Sequence, residues 1–303
     1  MTPWVPLHAS RLGSRRPTSF AVFGTLATLA SLGSLTSGCK DSGVKSAEFA
    51  KGHAESLAAL VEKDVGEVER GLPEGAKKGT AAFVGKDGVE REPAAVRRGL
   101  QKVQREVPDL LVAKSTFFAL VDTKGIAIRN NLETDAMSGQ DIFTLFPALR
   151  ESSTKGFVST SGTFPNAISL QGPDRTWVAA APIKAADGQL AAYFVTGWSY
   201  RRFAYHLQES LRSELKEKLL NAGDKGKLPI LYVAVFDATG VYSAPQTPDL
   251  NEKALKELGP VEKTKGGLQT GTLNLEGRSF GWAAVRTPKL GPDMGIALLR
   301  SEI

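Results

Sequence analysis

The strand after Asp174 carries the residues best suited by type to hold a small molecule. Alternation along that strand places Arg175, Trp177 and Ala179 on one face. Tyr193 and Val195 share a face of the strand that follows. Where the two faces coincide, Arg175 pairs a ligand carboxylate while Trp177 and Tyr193 pack its apolar body, the mixture that small-molecule sites use. Arg175, Trp177 and Tyr193 are therefore the candidate ligand-binding residues. The competing reading makes Trp177 core, Arg175 a solvated strand end and Tyr193 a cap on the sheet edge.

Catalysis finds little support in the remaining chemistry. His53 and His206 both fall inside helical patterns and read as packed helix residues. Without cysteine partners or a carboxylate at ligand spacing, a zinc site is not expected. No Gly-x-Ser-x-Gly elbow, P-loop or Gly-x-Gly-x-x-Gly occurs. The expectation is a protein without catalytic residues, metal or cofactor. Asn130 and Asn131 read as a turn. Trp198-Ser199-Tyr200-Arg201-Arg202 opens a helix whose aromatics pack and whose arginines are solvated.

Cys39 is the one cysteine in 303 residues, so no disulfide is possible. It follows an apolar, small-residue run from Ala21 to Leu32, which Arg11, Arg15 and Arg16 precede, and no acid occurs before Asp41. That layout is a secretory signal, 1–38, and the run is short for the roughly 20 residues of a membrane span. Leu35-Thr36-Ser37-Gly38-Cys39 resembles a bacterial lipobox, with Thr36 where leucine is usual. The resemblance implies diacylation of Cys39, and Lys40 in place of Asp resembles the signal for transfer to the outer membrane. Ser14-Arg15-Arg16 is similar to a twin-arginine signal, but Phe20 lies too far downstream.

The three arginines of the signal carry half of the formal net charge of +6. What remains is too small to argue for nucleic acid, and no Lys/Arg block appears. At 42% apolar residues the chain is an ordinary globular one, long enough after processing for two modest domains.

The positioning elements begin with a helix over 46–72, on which Phe49, His53, Leu57, Leu60, Val61, Val65 and Val68 form a stripe that Pro73-Glu74-Gly75 ends. A second helix runs over 93–106. Ala119-Leu120-Val121-Asp122-Thr123-Lys124-Gly125-Ile126 then matches Ala234-Val235-Phe236-Asp237-Ala238-Thr239-Gly240-Val241. In each, Asp bonds the turn backbone and Gly tolerates positive φ, so both are hairpins. Trp177 to Pro182 matches Trp282 to Val285, and each half ends on another strand, Leu190–Val195 or Met294–Leu299. Helical inserts stand at 141–151 and 251–258, and a helix over 198–221 with Phe203, Leu207, Leu211, Leu215 and Leu219 joins the halves. The pattern reads as a tandem duplication.

That order, with Val121-Asp122-Thr123-Lys124-Gly125, Gly139-Gln140-Asp141-Ile142-Phe143 and Asp187-Gly188-Gln189-Leu190, resembles the PAS-like modules of double Cache extracellular sensor domains. The fold expected is α+β, with N-terminal helices followed by two PAS/Cache-like antiparallel-sheet modules joined by a long helix. The divisions are a tether 39–45, a helical segment 46–110, a first module 111–200, a linking helix 201–225 and a smaller second module 226–303. Family members usually sit between two transmembrane helices and drive a chemotaxis or kinase output; neither feature is found here. The Tyr, Arg, Trp-Tyr and Asp constellation of the amino-acid-binding members has no match, so no ligand residue carries over. The resemblance implies a non-enzymatic envelope lipoprotein, membrane-held through Cys39 and facing the periplasm, that binds a small metabolite and signals through a partner protein. The alternative is a structural or assembly scaffold, because such modules serve both roles.

Overall fold

The computed structural model of the protein describes residues 37–165, 173–223 and 226–303. Residues 1–36 of the expected export signal, 1–38, and the side chain of Cys39 lie outside the described residues. The described residues form one compact unit.

Helix α1, Ser37–Phe83, is the spine. Ala47, Ala50, Ala54, Leu57, Val61, Val65, Val68, Leu72 and Ala76 are all buried at three- and four-residue steps, and Phe83 follows seven residues on, on the same face. Two expectations are corrected here. The 39–45 tether is helical, since α1 begins at Ser37. Pro73-Glu74-Gly75 does not end the helix, because the buried face continues past it through Ala76 to Phe83. Pro73 removes one hydrogen bond, and tertiary packing of the following turns outweighs that loss. Gly75 shows why: a Cβ there would stand 2.6 Å from a ring carbon of Phe194, so only glycine admits this contact. The stripe also departs from the reading at its start. Phe49 is 43% exposed, and the alanines beside it face the core.

A two-stranded hairpin follows, β1 Val84–Gly85 and β2 Gly88–Val89. Helices α2, Pro93–Glu106, and α3, Pro108–Val112, come next. Glu92 caps α2 by accepting from the Ala94 and Ala95 N–H groups, with Pro93 in the first turn.

The first module contains β3 Phe117–Asp122, β4 Ala127–Asn130, short helices α4 Ile142–Leu145 and α5 Ser152–Lys155, then β5 Val158–Phe164, β6 Asp174–Lys184 and β7 Leu190–Ser199. Its antiparallel sheet has the order β4-β3-β7-β6-β5. Helix α6, Tyr200–Asn221, leads to the second module. There β8 Ile230–Asp237, β9 Gly240–Ser243, α7 Asp249–Glu257, α8 Pro260–Lys263, β10 Gln269–Leu275, β11 Arg278–Arg286 and β12 Gly295–Ser301 follow. Its sheet has the order β9-β8-β12-β11-β10, the first module's order strand for strand. Both hairpins form where the Asp-x-x-Gly repeats stand.

One face of each sheet packs on α1, α2 and α6 in a shared core that includes Trp177, Phe194, Trp198, Val233, Ala283 and Leu298. The opposite faces carry separate cores under the inserts. The N-terminal half of α1 lies on the second module: a Cβ on Gly281 of β11 would come within 2.1 Å of the Ala47 nitrogen. Its C-terminal half lies on the first, where Thr80 Oγ1 donates to the Lys184 carbonyl at 2.7 Å.

Candidate functional site

The register of β6 against β7 decides whether the expected site residues meet. Trp177 pairs directly with Trp198, so the two share a face. Their rings stack at 4.2 Å and 14°, and Trp198 stacks in turn on Phe203 of α6 at 4.6 Å. Tyr193 is five residues before Trp198 on β7, an odd step, and therefore points to the other face. There it meets Phe143 edge-on at 4.9 Å. Trp177 is fully buried and Tyr193 is 3% exposed, on opposite sides of one sheet. The condition that the two faces coincide is not met, and Arg175, Trp177 and Tyr193 do not line one pocket.

Among the described residues, the outer face of the first module carries an apolar cluster of its own. Phe143, Phe146, Phe164 and Tyr193 pack there with Phe117, Val178 and Val195, and Phe146 meets Phe164 at 4.8 Å. Such a face offers ring surface and few polar groups.

Arg175 has a different role. Its Nε donates to Asp237 Oδ2 at 2.7 Å, joining the first strand residues of β6 to the Asp-x-x-Gly turn of the second module. Asp237 Oδ1 accepts from the Thr239 N–H at 2.8 Å and from its hydroxyl at 2.5 Å. Tyr200, at the start of α6, donates to Asp237 Oδ2 at 3.3 Å and lies 3.4 Å from Met294 Sδ. Beside them Arg201 grips Glu252 through two bonds of 2.7 and 2.8 Å and donates to the Ser243 carbonyl. The Ser199 hydroxyl donates to Asp174 at 2.9 Å. First module, linking helix and second module thus converge on one polar joint.

Its electrostatics are those of a strut. Burial acts to raise the Asp237 carboxyl, and hydrogen bonds from Thr239 and Arg175 outweigh it, holding the pKa below the ordinary value. For Arg175, burial disfavours the charge and the Asp237 bond more than restores it. Burial pushes the Tyr200 hydroxyl well above its ordinary value, and it raises Asp174 despite the Ser199 bond. For Arg175 and Asp237 the shifts favour the charged forms that make the bridge, and for Tyr200 the shift favours the neutral hydroxyl that donates to it. The first module repeats the device in a lighter form. Asp122 Oδ1 accepts from the Lys124 and Ile126 N–H groups, and Oδ2 pairs with Arg91 at 3.3 Å. The repeat marked both turns; the arginine partners, distant in sequence, had no signal.

His53 and His206 each pair with a charged side chain of another element. His206 Nε2 lies 3.0 Å from Asp64 and ties α6 to the middle of α1. His53 contacts Arg300, and burial with that guanidinium lowers its pKa to about 4. Among the described residues no three His, Cys, Asp or Glu side chains gather as a metal set. Among them, too, no helix is long and apolar enough to cross a membrane.

No family model matches the chain, and no curated protein matches it in sequence. Solved structures do resemble it. An extracellular ligand binding receptor from Desulfohalobium retbaense is 13% identical, with a TM-score of 0.49 over 83% of this chain. The chain spans only 39% of that receptor's length. The ligand-binding domain of the Pseudomonas fluorescens chemoreceptor CtaA, in complex with L-alanine, is 17% identical over 84% of this chain and 94% of its own, with a TM-score of 0.43. That of the Campylobacter jejuni chemoreceptor Tlp3, in complex with L-valine, is 11% identical over 88% and 97%, with a TM-score of 0.46.

Proposed function

We propose that the protein is a non-enzymatic envelope lipoprotein that binds a small ligand in its first module and relays that state through the second to a partner protein. The observation that supports the relay is the Arg175–Asp237 bridge, a nearly enclosed ion pair that binds the modules at their junction. The spine gives it direction. Cys39 stands at the start of α1, whose N-terminal half packs on the second module and whose C-terminal half packs on the first. A lipid on Cys39 would therefore hold the second module near the membrane and the first away from it. An outer-membrane position facing the periplasm follows the Lys40 reading.

A scaffold reading is favoured by one observation, the cluster of aromatic residues among the described residues of the first module's outer face. The two separate in a thermal-shift screen of the full-length protein against amino acids, organic acids and amines. A saturable rise in melting temperature supports the receptor. No rise with any compound, together with stoichiometric co-purification of an envelope protein, would replace it with the scaffold.

A further inference from the structure

Among the described residues, an open cleft of about 530 Å³ lies between α2 and the segment that follows β4, on the helix side of the first module. Its size is within the range of small-ligand sites, roughly 300–1,000 Å³. Arg97, Arg98 and Arg129 line it, and Glu133 is the single acid among its lining residues. Arg98 also borders a second cleft of about 450 Å³, lined by Lys78, Lys102 and Glu106. Cationic groups outnumber acids in both.

The arginines are held to different degrees. Arg129 is fixed: its Nη1 lies 2.9 Å from the buried Asp135 carboxylate, and its Nη2 donates to the Leu132 and Glu133 carbonyls. Arg98 is largely free, 3.9 Å from Glu92. Arg97 contacts Glu133 through Nη2, while its Nε is buried without a hydrogen-bond partner. A buried orphan donor on a guanidinium is costly to leave unmade, and an oxyanion is the acceptor that matches it. Glu133 is 84% exposed in its side chain, so little holds it in place beyond Arg97 itself. Its carboxylate sits on Arg97 Nη2, a donor that a ligand oxyanion in the cleft would compete for.

We infer that this cleft is a site for a small dianion bearing carboxylate or phosphate groups, with Arg97 and Arg98 as its binding residues and Glu133 as a displaceable internal competitor. Arg129 supplies a fixed positive wall. The site is wired to the sheet: the Asn131 side chain accepts from the Phe118 N–H at 2.9 Å and donates to Gln104 of α2 at 3.4 Å. Strand β3 continues through β7 to β6, where Arg175 begins the joint. The inference rests on the receptor reading and specifies its ligand class and place.

Calorimetric titration of the full-length protein with succinate and with inorganic phosphate tests it, each variant first being checked for an unchanged melting temperature. Saturable binding by either probe is expected, weakening with ionic strength. Arg97→Gln should weaken it about tenfold or more, the scale of a charged hydrogen bond. Glu133→Gln should tighten it by about threefold, as removal of an exposed competing charge would. Arg278→Gln, the same charge change on the distant β11, should leave it unaltered. Binding that Arg97→Gln and Glu133→Gln do not change would overturn the cleft and leave the receptor reading standing. Failure of both probes would overturn the ligand class, whereas failure of the whole compound screen would remove the receptor reading.

Discussion

Replacing Arg175 by Met removes one charge from the joint and keeps most of the side chain's length. Asp237 would then be left with its carboxylate 6% exposed and its cationic partner gone. Breaking a buried ion pair from one side costs about 3–5 kcal/mol in general. Here Asp237 keeps the Thr239 N–H, the Thr239 hydroxyl and the Tyr200 hydroxyl as donors, so about 2–3 kcal/mol is expected. At roughly 2–4 °C per kcal/mol for a domain of this size, the melting temperature should fall by about 5–10 °C. Arg175→Met, Asp237→Asn and the double variant, followed by circular dichroism, form a cycle whose coupling should be about 1–3 kcal/mol. The pH dependence has a fixed sign. Asp237 is depressed in the folded state, so the pair's contribution is present above the unfolded carboxyl value and fades as pH falls through the folded one. The gap between wild type and Arg175→Met should therefore be widest near neutrality and close on acidification. A loss below about 1 kcal/mol at pH 7, or strictly additive single substitutions, would refute a buried, coupled joint.

Other parts of the structure give equally definite outcomes. Gly75→Ala drives a Cβ to 2.6 Å from Phe194 and 2.7 Å from Leu110 and should cost about 1–3 kcal/mol in chemical denaturation. Gly52→Ala, on the same helix with nothing within 4 Å, should instead stabilise by about 0.5–1 kcal/mol, and a loss there would contradict the exposed helical placement. His53 should titrate by NMR with a midpoint of about 4, and the stability it contributes, present above the unfolded value of 6.5, should drain as pH falls between the two; a midpoint near 6.5 would deny its burial against Arg300. Cys39→Ser should release the protein from membranes and abolish acyl labelling, and unchanged membrane association would refute lipidation.

Local patterns were legible where one residue period decided the outcome. The α2 limits, both Asp-x-x-Gly hairpins and the strands around Trp177 and Trp282 are visible in the amino-acid string because alternation and turn chemistry are local. Pro73-Glu74-Gly75 misleads for the opposite reason. Whether that segment stops a helix depends on Phe194 and Leu110, more than thirty residues away in the chain. Hydrophobicity alone puts Phe49 inside, whereas Ala47, Ala50 and Ala54 are the buried residues of that stretch, where the α1 backbone at Ala47 closely approaches Gly281. The candidate site failed on register. That Arg175 and Trp177 share a face is a local fact; that Tyr193 faces away follows only once Trp177 is known to pair with Trp198. Tyr200 and Arg201, read as packing and solvated, are joint residues because Asp237 and Glu252 come to them from the other module.

The relay is tested most directly by hydrogen exchange of the full-length protein with and without saturating succinate, in wild type and Arg175→Met. In wild type, added protection should extend from α2 and β4 to the β8–β9 turn around Asp237, and in Arg175→Met it should stop within the first module. Protection that reaches the second module equally in both proteins, or that never leaves the first module in wild type, would contradict transmission through the Arg175–Asp237 joint.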